Sequence, residues 1–297
     1  MKKFMKTCAI LALVLIVVGM GLALVAGAIQ GPITWAELKK SAYWDDDFKE
    51  SLENQIVAGL EHLDSGQRYE LEEHVNFDSD NPIYEGDTEQ TFSAAAIRDI
   101  EISAGACSIE VKDSEDEDFH IKVQNVGSYQ GYVKGNTLHV RSVRKTTWGD
   151  GAKCSIKLYV PADFTFEDVE LSLGAGQIDW QSTLGASEVE IELGAGDINL
   201  ADLTVDKLTA EVGMGSLEVT GDIREKADVN CAMGNIDLTL AGAENSFNYE
   251  VEVAAGNVTI GGKTYSGLAK EKDIDNDALR DISVECAMGN ISISFNE

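Results

Sequence analysis

The chain has 297 residues, 44% of them hydrophobic, and its 52 acidic and 23 basic residues give a formal charge of -29. A chain of this length and apolar content can bury a large core, which excludes a wholly disordered protein. Nucleic-acid phosphates are contacted by Lys and Arg, so the strong acidic excess excludes a nucleic-acid partner.

The N-terminus carries a membrane signal. Lys2, Lys3 and Lys6 precede an uncharged run at 8–29. As a helix, this run would span about 33 Å, enough for a bilayer core of about 30 Å. The lysines predict a cytoplasmic tip at 1–7 and a single-pass cell-membrane protein whose C-terminal domain is extracytoplasmic. The alternative is a cleaved signal peptide and a secreted protein, because 26–28 (Ala-Gly-Ala) resembles a cleavage site.

Residues 30–97 are predicted to form an acidic juxtamembrane stalk. Between Asp45 and Glu89, fifteen acidic residues face two basic ones, a local balance of 2 - 15 = -13. Leu52, Ile56 and Leu60 recur at spacings of four, which predicts one short amphipathic helix. Residues 76–97 are polar and rich in turn formers, and they are expected to be a linker.

From residue 98 onward the predicted domain is all-β. Segments such as 119–126, 137–143 and 154–161 alternate apolar and polar residues and are separated by turn sequences, which predicts antiparallel hairpins. A motif of about 20 residues then repeats, which predicts a β-solenoid or roll stacked about 4.8 Å per turn. Residues 103–111 fit the same frame, with Cys107 at the glycine position, and are interpreted as a first rung or cap. The segment 270–281, before the last copy, is expected to be an exposed acidic loop.

Each copy of the repeat contains one glycine that is predicted to form a structural corner. Residues three and five before it, and two and four after it, are apolar in every copy, so the side-chain alternation slips by one residue there. Such a slip flips the buried face unless the chain bends, and glycine reaches positive φ at little cost. The six corner residues are Gly176, Gly196, Gly215, Gly234, Gly256 and Gly289.

The glycine motif does not match known cofactor or metal sites. No copy completes G-x-G-x-x-G, and each runs into a strand, so no helix N-terminus is available for a dinucleotide. A calcium-binding roll needs Asp two residues after the last glycine, where this chain has Ile178 and apolar equivalents. The four histidines lack metal-ligand spacing, and neither a cofactor nor a metal is expected.

A carbohydrate-active enzyme is a minor alternative. Glu192 and Glu211 fall on consecutive turns, about 5 Å apart, a separation typical of retaining glycosidases. Asp179, Glu218 and Asp237 form a second row of carboxylates three residues after the corners. Polar residues also alternate on the solvent face of any half-buried strand, and this explanation is favoured.

One basic cluster is a candidate contact for an anionic wall polymer, a lipid headgroup or an acidic protein, although a solvated hairpin face is the favoured explanation. We call it the basic patch, and its members are Lys134, Arg141, Arg144, Lys145, Trp148, Lys153 and Lys157. Tyr132 and His139 lie among them in sequence.

The cysteines permit limited predictions. Cys231 and Cys286 share one inward column but are two repeats apart, with Val253 between them, so their backbones are expected about 9.6 Å apart and beyond disulfide reach. They are interpreted as small buried hydrophobic residues. Pairing of Cys107 with Cys154 stays open.

The strand "IKLYVPAD" (156–163), followed by apolar-x-apolar-small-x-Gly-x-Ile-x-apolar units, resembles the putative-adhesin family of bacterial domains of unknown function. The resemblance covers about 100–295 and implies a β-solenoid domain at 98–297. It also implies a membrane-anchored or surface protein of a Gram-positive bacterium, and similar domains occur in cell-envelope stress proteins. No catalytic residues are implied.

These observations predict a non-enzymatic, membrane-anchored extracytoplasmic protein that acts as an interaction or envelope-sensing module. Its expected partners are the membrane, through the N-terminal helix, and a protein or cell-wall polymer. The main alternative is a secreted or surface adhesin that binds host or wall glycans.

Overall fold

The computed structural model describes residues 75–144, 154–266 and 270–296. The all-β prediction is confirmed there, since the helices in these ranges are two short 3-10 turns, Ala94–Ala96 and Glu244–Ser246. The predicted tip (1–7), membrane segment (8–29) and amphipathic helix lie outside the described residues. Within the described ranges, no helix has the length and hydropathy needed to cross a membrane.

Fifteen strands belong to one sheet. In chain order they are β1 (Tyr84–Ser93), β2 (Asp99–Asp113), β3 (Asp118–Lys134), β4 (Thr137–Arg144), β5 (Ser155–Val160), β6 (Thr165–Trp180), β7 (Leu184–Val212), β8 (Ser216–Cys231), β9 (Asn235–Ala241), β10 (Phe247–Val253), β11 (Asn257–Ile260), β12 (Lys263–Ser266), β13 (Lys270–Ile274), β14 (Arg280–Cys286) and β15 (Asn290–Asn296).

The repeats stack as parallel rungs, each with one arm before its corner and one arm after it. Strand β6 pairs in register with β7, so that Gly176 lies opposite Gly196 and Ile178 opposite Ile198. Strand β2 pairs in the same way with β6, and Cys107 lies opposite Gly176. The prediction that 103–111 form the first rung is therefore confirmed.

The core is the aliphatic space between the two arms. The apolar positions that flank the corners are all buried, at 3% exposure or less. The burial pattern of β6 shows the predicted slip of one residue, because Leu173 is buried before the corner and Ile178 after it. Aromatic rings also pack in the core, where Phe166 contacts Trp180 edge-on, with ring centroids 6.2 Å apart.

The last rung in sequence is not the last rung in space. Strand β14 pairs in parallel with β8 on one side and with β10 on the other. Strand β15 likewise lies between β9 and β11. The C-terminal rung, β14 with β15, is therefore inserted between two rungs that precede it in the chain.

This order corrects the expectation for the two inward cysteines. Cys231 and Cys286 are register partners on neighbouring strands, and Val253 lies beyond Cys286 instead of between them. The expected separation of two rungs was wrong because sequence order was taken as spatial order. Residues 270–274 are not a loop either, since β13 pairs antiparallel with β10.

The N-terminal part of the described domain is more interwoven than a chain of hairpins. The predicted hairpin at 134–137 is confirmed, with Lys134 opposite Thr137 and Gly135 at a φ of 68° in the turn. Strands β4 and β5, however, pair in parallel with β2. The linker predicted at 76–97 is also wrong in part, because β1 pairs antiparallel with β3 along its length.

Candidate functional site

The corner glycines are required mainly by close stacking. A Cβ added at Gly196 would lie 2.5 Å from the carbonyl oxygen of Gly176. The same holds at each of the other five corners, where a Cβ would come within 2.5 Å of the carbonyl oxygen of the corner residue on the neighbouring rung. Among these glycines a positive φ occurs at Gly176, at 117°. A positive φ was predicted as the reason for glycine at all six corners, and of these six it occurs only at Gly176.

Cys107 occupies the corner position of the rung at 103–111, where it lies opposite Gly176 and carries a side chain in place of glycine. It is bonded to Cys154, with a Cα–Cα distance of 4.9 Å. Cys154 directly precedes β5, whose Ser155 is opposite Ser108 in parallel register. The disulfide thus joins the first rung to the strand stacked on it.

Three described cations of the basic patch, Lys134, Arg141 and Lys157, lie on β3, β4 and β5 and are paired with carboxylates. Arg141 donates from Nη2 to Glu101 Oε1 at 2.8 Å, and His139 Nδ1 lies 2.8 Å from the other oxygen of Glu101. The His139 ring stacks on Tyr132 at 4.7 Å. Arg141 also sits over the Tyr132 ring, 5.7 Å from its centroid.

The segment that leads into β1 covers part of this patch. Lys134 donates to Asp78 Oδ2 at 2.7 Å, and Arg141 donates to the carbonyl of Asn76. The hydrogen bond from Lys134 lowers the pKa of Asp78. Beneath them, the fully buried Gln130 accepts from the amide of Asp78 and donates to the carbonyls of Asp78 and Asn81.

Lys157 is the third described cation of the patch. Its Nζ lies 3.6 Å from Glu110, which also pairs with Lys112 at 2.6 Å. The hydrogen bond from Lys112 lowers the pKa of Glu110, with a smaller contribution from Lys157. Arg144 ends β4, whereas Lys145, Trp148 and Lys153 lie outside the described residues.

The outward face of the first rungs is acidic. Glu101, Glu170 and Glu190 stand opposite one another on β2, β6 and β7. Partial burial, followed by the charges of Glu101, Glu190 and Glu192, raises the pKa of Glu170. Partial burial and neighbouring carboxylates, Asp99 first among them, also raise the pKa of Asp168 in the adjacent row. We call two in-register rows, the first formed by Glu101, Glu170 and Glu190 and the second by Asp168 and Glu188, the acidic rows.

The carboxylates weighed for glycoside cleavage do not meet in an enclosed site in the described residues. Glu192 and Glu211 are exposed on the outward strand face. Asp179 accepts a hydrogen bond at 3.0 Å from Asn199, its register partner on β7. It accepts another at 2.6 Å from Gln181, two residues further along the chain. Nor do three or more His, Cys, Asp or Glu side chains in these ranges form a group suited to a metal ion.

One apolar surface feature was not predicted from the sequence. It is formed by Met214, Met233 and Met288, and we call it the methionine ridge. The backbone amide of Met233 donates to the Gly213 carbonyl, and that of Met288 donates to the Ala232 carbonyl, so the three residues occupy successive rungs at the corner edge. Met214 is 64% exposed. The sequence signal for the ridge is the methionine that directly precedes the corner glycine in the motifs "GMG" and "AMG".

Comparison with known families places this fold. The model of the Toastrack DUF4097 family matches residues 97–239 and again residues 187–294. The chain belongs to the Toastrack DUF4097 family. The resemblance to the putative-adhesin domains is thereby confirmed. Among curated proteins, no sequence matches the chain significantly.

Several solved structures are similar to this Toastrack chain at low identity. A putative cell adhesion protein from Clostridium sporogenes is 13% identical, with a TM-score of 0.39, over 71% of this chain and 100% of that one. A putative adhesin from Parabacteroides merdae is 12% identical, with a TM-score of 0.37, over 71% and 97%. A putative lipid binding protein from Parabacteroides distasonis is 14% identical, with a TM-score of 0.34, over 72% and 99%.

Proposed function

We propose that this Toastrack protein is a non-enzymatic interaction module held at the outside of the cell membrane by residues 8–29. The observation that carries the proposal is the outward surface of the rungs. It consists of open rows of polar side chains on one hydrogen-bonded sheet, and the candidate catalytic carboxylates belong to those rows. Open, repeated rows suit contact with an extended partner better than they suit catalysis, which usually needs a concave, water-excluding site.

The basic patch is the proposed contact for an anionic partner. In a chain with a net charge of -29, this patch combines several cations with the Tyr132 ring, over which Arg141 lies. Arg141, Lys134 and Lys157 are already paired with Glu101, Asp78 and Glu110, so an anionic polymer would have to compete with these carboxylates. We therefore expect binding of modest affinity that falls steeply with ionic strength.

A binding experiment on isolated cell walls tests the contact. The full-length protein is mixed with walls that carry their anionic polymers and with walls stripped of them, and the sedimented fraction is measured. The variant Arg144→Glu with Lys145→Glu should bind the unstripped walls about tenfold more weakly. Arg224→Glu with Lys226→Glu is the matched control, since it makes the same change of charge on β8, where these residues pair with Asp222 and Asp228, away from the patch.

The outcomes separate the alternatives. Equal binding by all three proteins, unaffected by salt or stripping, would contradict the anionic contact and favour an adhesin that recognises neutral glycans. Localisation is tested independently, by protease treatment of intact cells followed by membrane fractionation. We expect a membrane-bound protein that external protease can reach, whereas a soluble form beginning near Ile29 would overturn the anchor.

A further inference from the structure

Two free cysteines face each other where the C-terminal rung enters the sheet. Cys231 ends β8, Cys286 ends β14, and the two are register partners on neighbouring parallel strands. Both are buried, at 2% exposure. Their adjacency follows from the insertion of the C-terminal rung between earlier rungs.

The disulfide at the first rung provides a precedent within the molecule. Cys107 and Cys154 also lie at facing positions on neighbouring parallel strands, with Cα atoms 4.9 Å apart. Facing residues on adjacent strands are about 4.8 Å apart, and disulfides form at Cα separations of roughly 4.4 to 6.8 Å. The backbone at Cys231 and Cys286 therefore meets the same distance requirement.

Both thiols are hydrogen-bonded within their own rungs. Each Sγ donates to the carbonyl oxygen of the corner glycine of its own rung, Cys231 to Gly234 and Cys286 to Gly289, both at 3.1 Å. The thiolate is the species that attacks a disulfide, so either cysteine can start an exchange when it loses its proton.

We propose that Cys231 and Cys286 form a second disulfide, which fastens the C-terminal rung to β8. The oxidant is a low-molecular-weight disulfide. The thiolate of one cysteine attacks it to give a mixed disulfide and releases one small thiol, and the thiolate of the other cysteine then displaces the second. In total the protein thiols lose two protons and two electrons, and the small disulfide is reduced to two thiols.

The exchange takes place while β14 is docking, because both sulfurs are buried once the rung is in place. The link closes a loop between residues that are 55 positions apart (286 - 231). A cross-link over such a long loop restricts the unfolded chain, and here it also keeps β14 from leaving the position between β8 and β10. This inference does not depend on the proposed partner.

Peptide mapping tests the bond directly. The full-length protein is unfolded with reductant and refolded in a mixture of reduced and oxidised glutathione. The folded protein is then denatured without reductant in the presence of an alkylating reagent and digested for mass spectrometry. We expect a linked peptide that contains Cys231 and Cys286, beside the one that contains Cys107 and Cys154. Recovery of Cys231 and Cys286 in alkylated form from folded protein would overturn the proposal.

The repeat itself suggests a matched variant. Val212 and Val253 occupy the same inward column on flanking rungs, so Cys231→Val with Cys286→Val should keep the packing and the Cys107–Cys154 bond. Reductant should then lower the Tm of the parent protein by several degrees more than it lowers the Tm of this variant. Equal reductions in Tm would count against a second disulfide.

Discussion

At the scale of single residues, the corner column shows how backbone stacking restricts side chains. A Cβ at a corner points toward the rung that is stacked against it, and in the repeats it would overlap the corner carbonyl of that rung. Overlaps of this kind cannot relax without separating two strands that are hydrogen-bonded on both sides of the corner. Glycine is therefore required at each repeat by its neighbour and not only by its own conformation.

We predict that Gly196→Ala destabilises the domain by about 1 to 3 kcal/mol, because the new methyl group would lie 2.5 Å from the Gly176 carbonyl oxygen. Thermal or urea unfolding of the two proteins measures the difference. Gly185→Ala is the control, since its Cβ would meet Thr165 at an ordinary 3.4 Å. A Gly196→Ala protein as stable as the control would refute the stacking explanation.

The sequence could predict which residues face the core, because burial follows a period that is visible in the letters. It could not predict how the basic patch would be neutralised. Arg141 meets Glu101 on the first rung, and Lys134 meets Asp78 on a segment expected to be a linker. Such pairs join positions 40 to 56 residues apart, and no local pattern encodes them.

At the scale of strands, the spatial order of the rungs cannot be predicted from the periodicity of apolar residues in the sequence. Every rung has the same apolar pattern, so any rung fits against any other as far as the pattern shows. The order of the rungs depends on the strands that connect them. Strands β12 and β13 pair antiparallel with β11 and β10 and cover the outer edges of those two strands. Covered edges cannot accept another rung, and the C-terminal rung instead fills the gap between β8–β9 and β10–β11.

We predict that the C-terminal rung is needed for the stability of the whole domain. Val284 on β14 is fully buried between β8 and β10, so Val284→Asn places an amide in the aliphatic core and should cost about 2 to 4 kcal/mol. Ser283→Asn adds the same side chain on the outward side of the same strand and should cost far less. Chemical unfolding followed by circular dichroism compares the free energies of unfolding of the two variants. Equally small losses in both would mean that β14 is dispensable.

At the scale of the whole molecule, the charge is arranged in two ways that respond oppositely to pH. Asp78 and Glu110 face lysines, which lower their pKa, so their contribution to stability is lost only in strong acid. Glu170 and Asp168 lie in the acidic rows, and their pKa values are raised. A carboxyl with a raised pKa in the folded state favours folding more as pH falls through that pKa.

We therefore predict that the Tm rises as the pH is lowered from about 7 toward the ordinary carboxyl pKa of about 4, before the paired carboxylates begin to protonate. Salt should act in the same direction at pH 7, because ions at about 0.5 M screen the repulsion within the acidic rows.

Glu170→Gln should raise the Tm at pH 7 by about 1 to 2 °C and weaken both responses, since it removes a charge from the middle of a row. Glu110→Gln is the opposite control, because it removes the partner of Lys112 and should lower the Tm at pH 7. A domain whose Tm falls steadily from pH 7 to pH 5 would show that the paired carboxylates, and not the acidic rows, dominate its electrostatic stability.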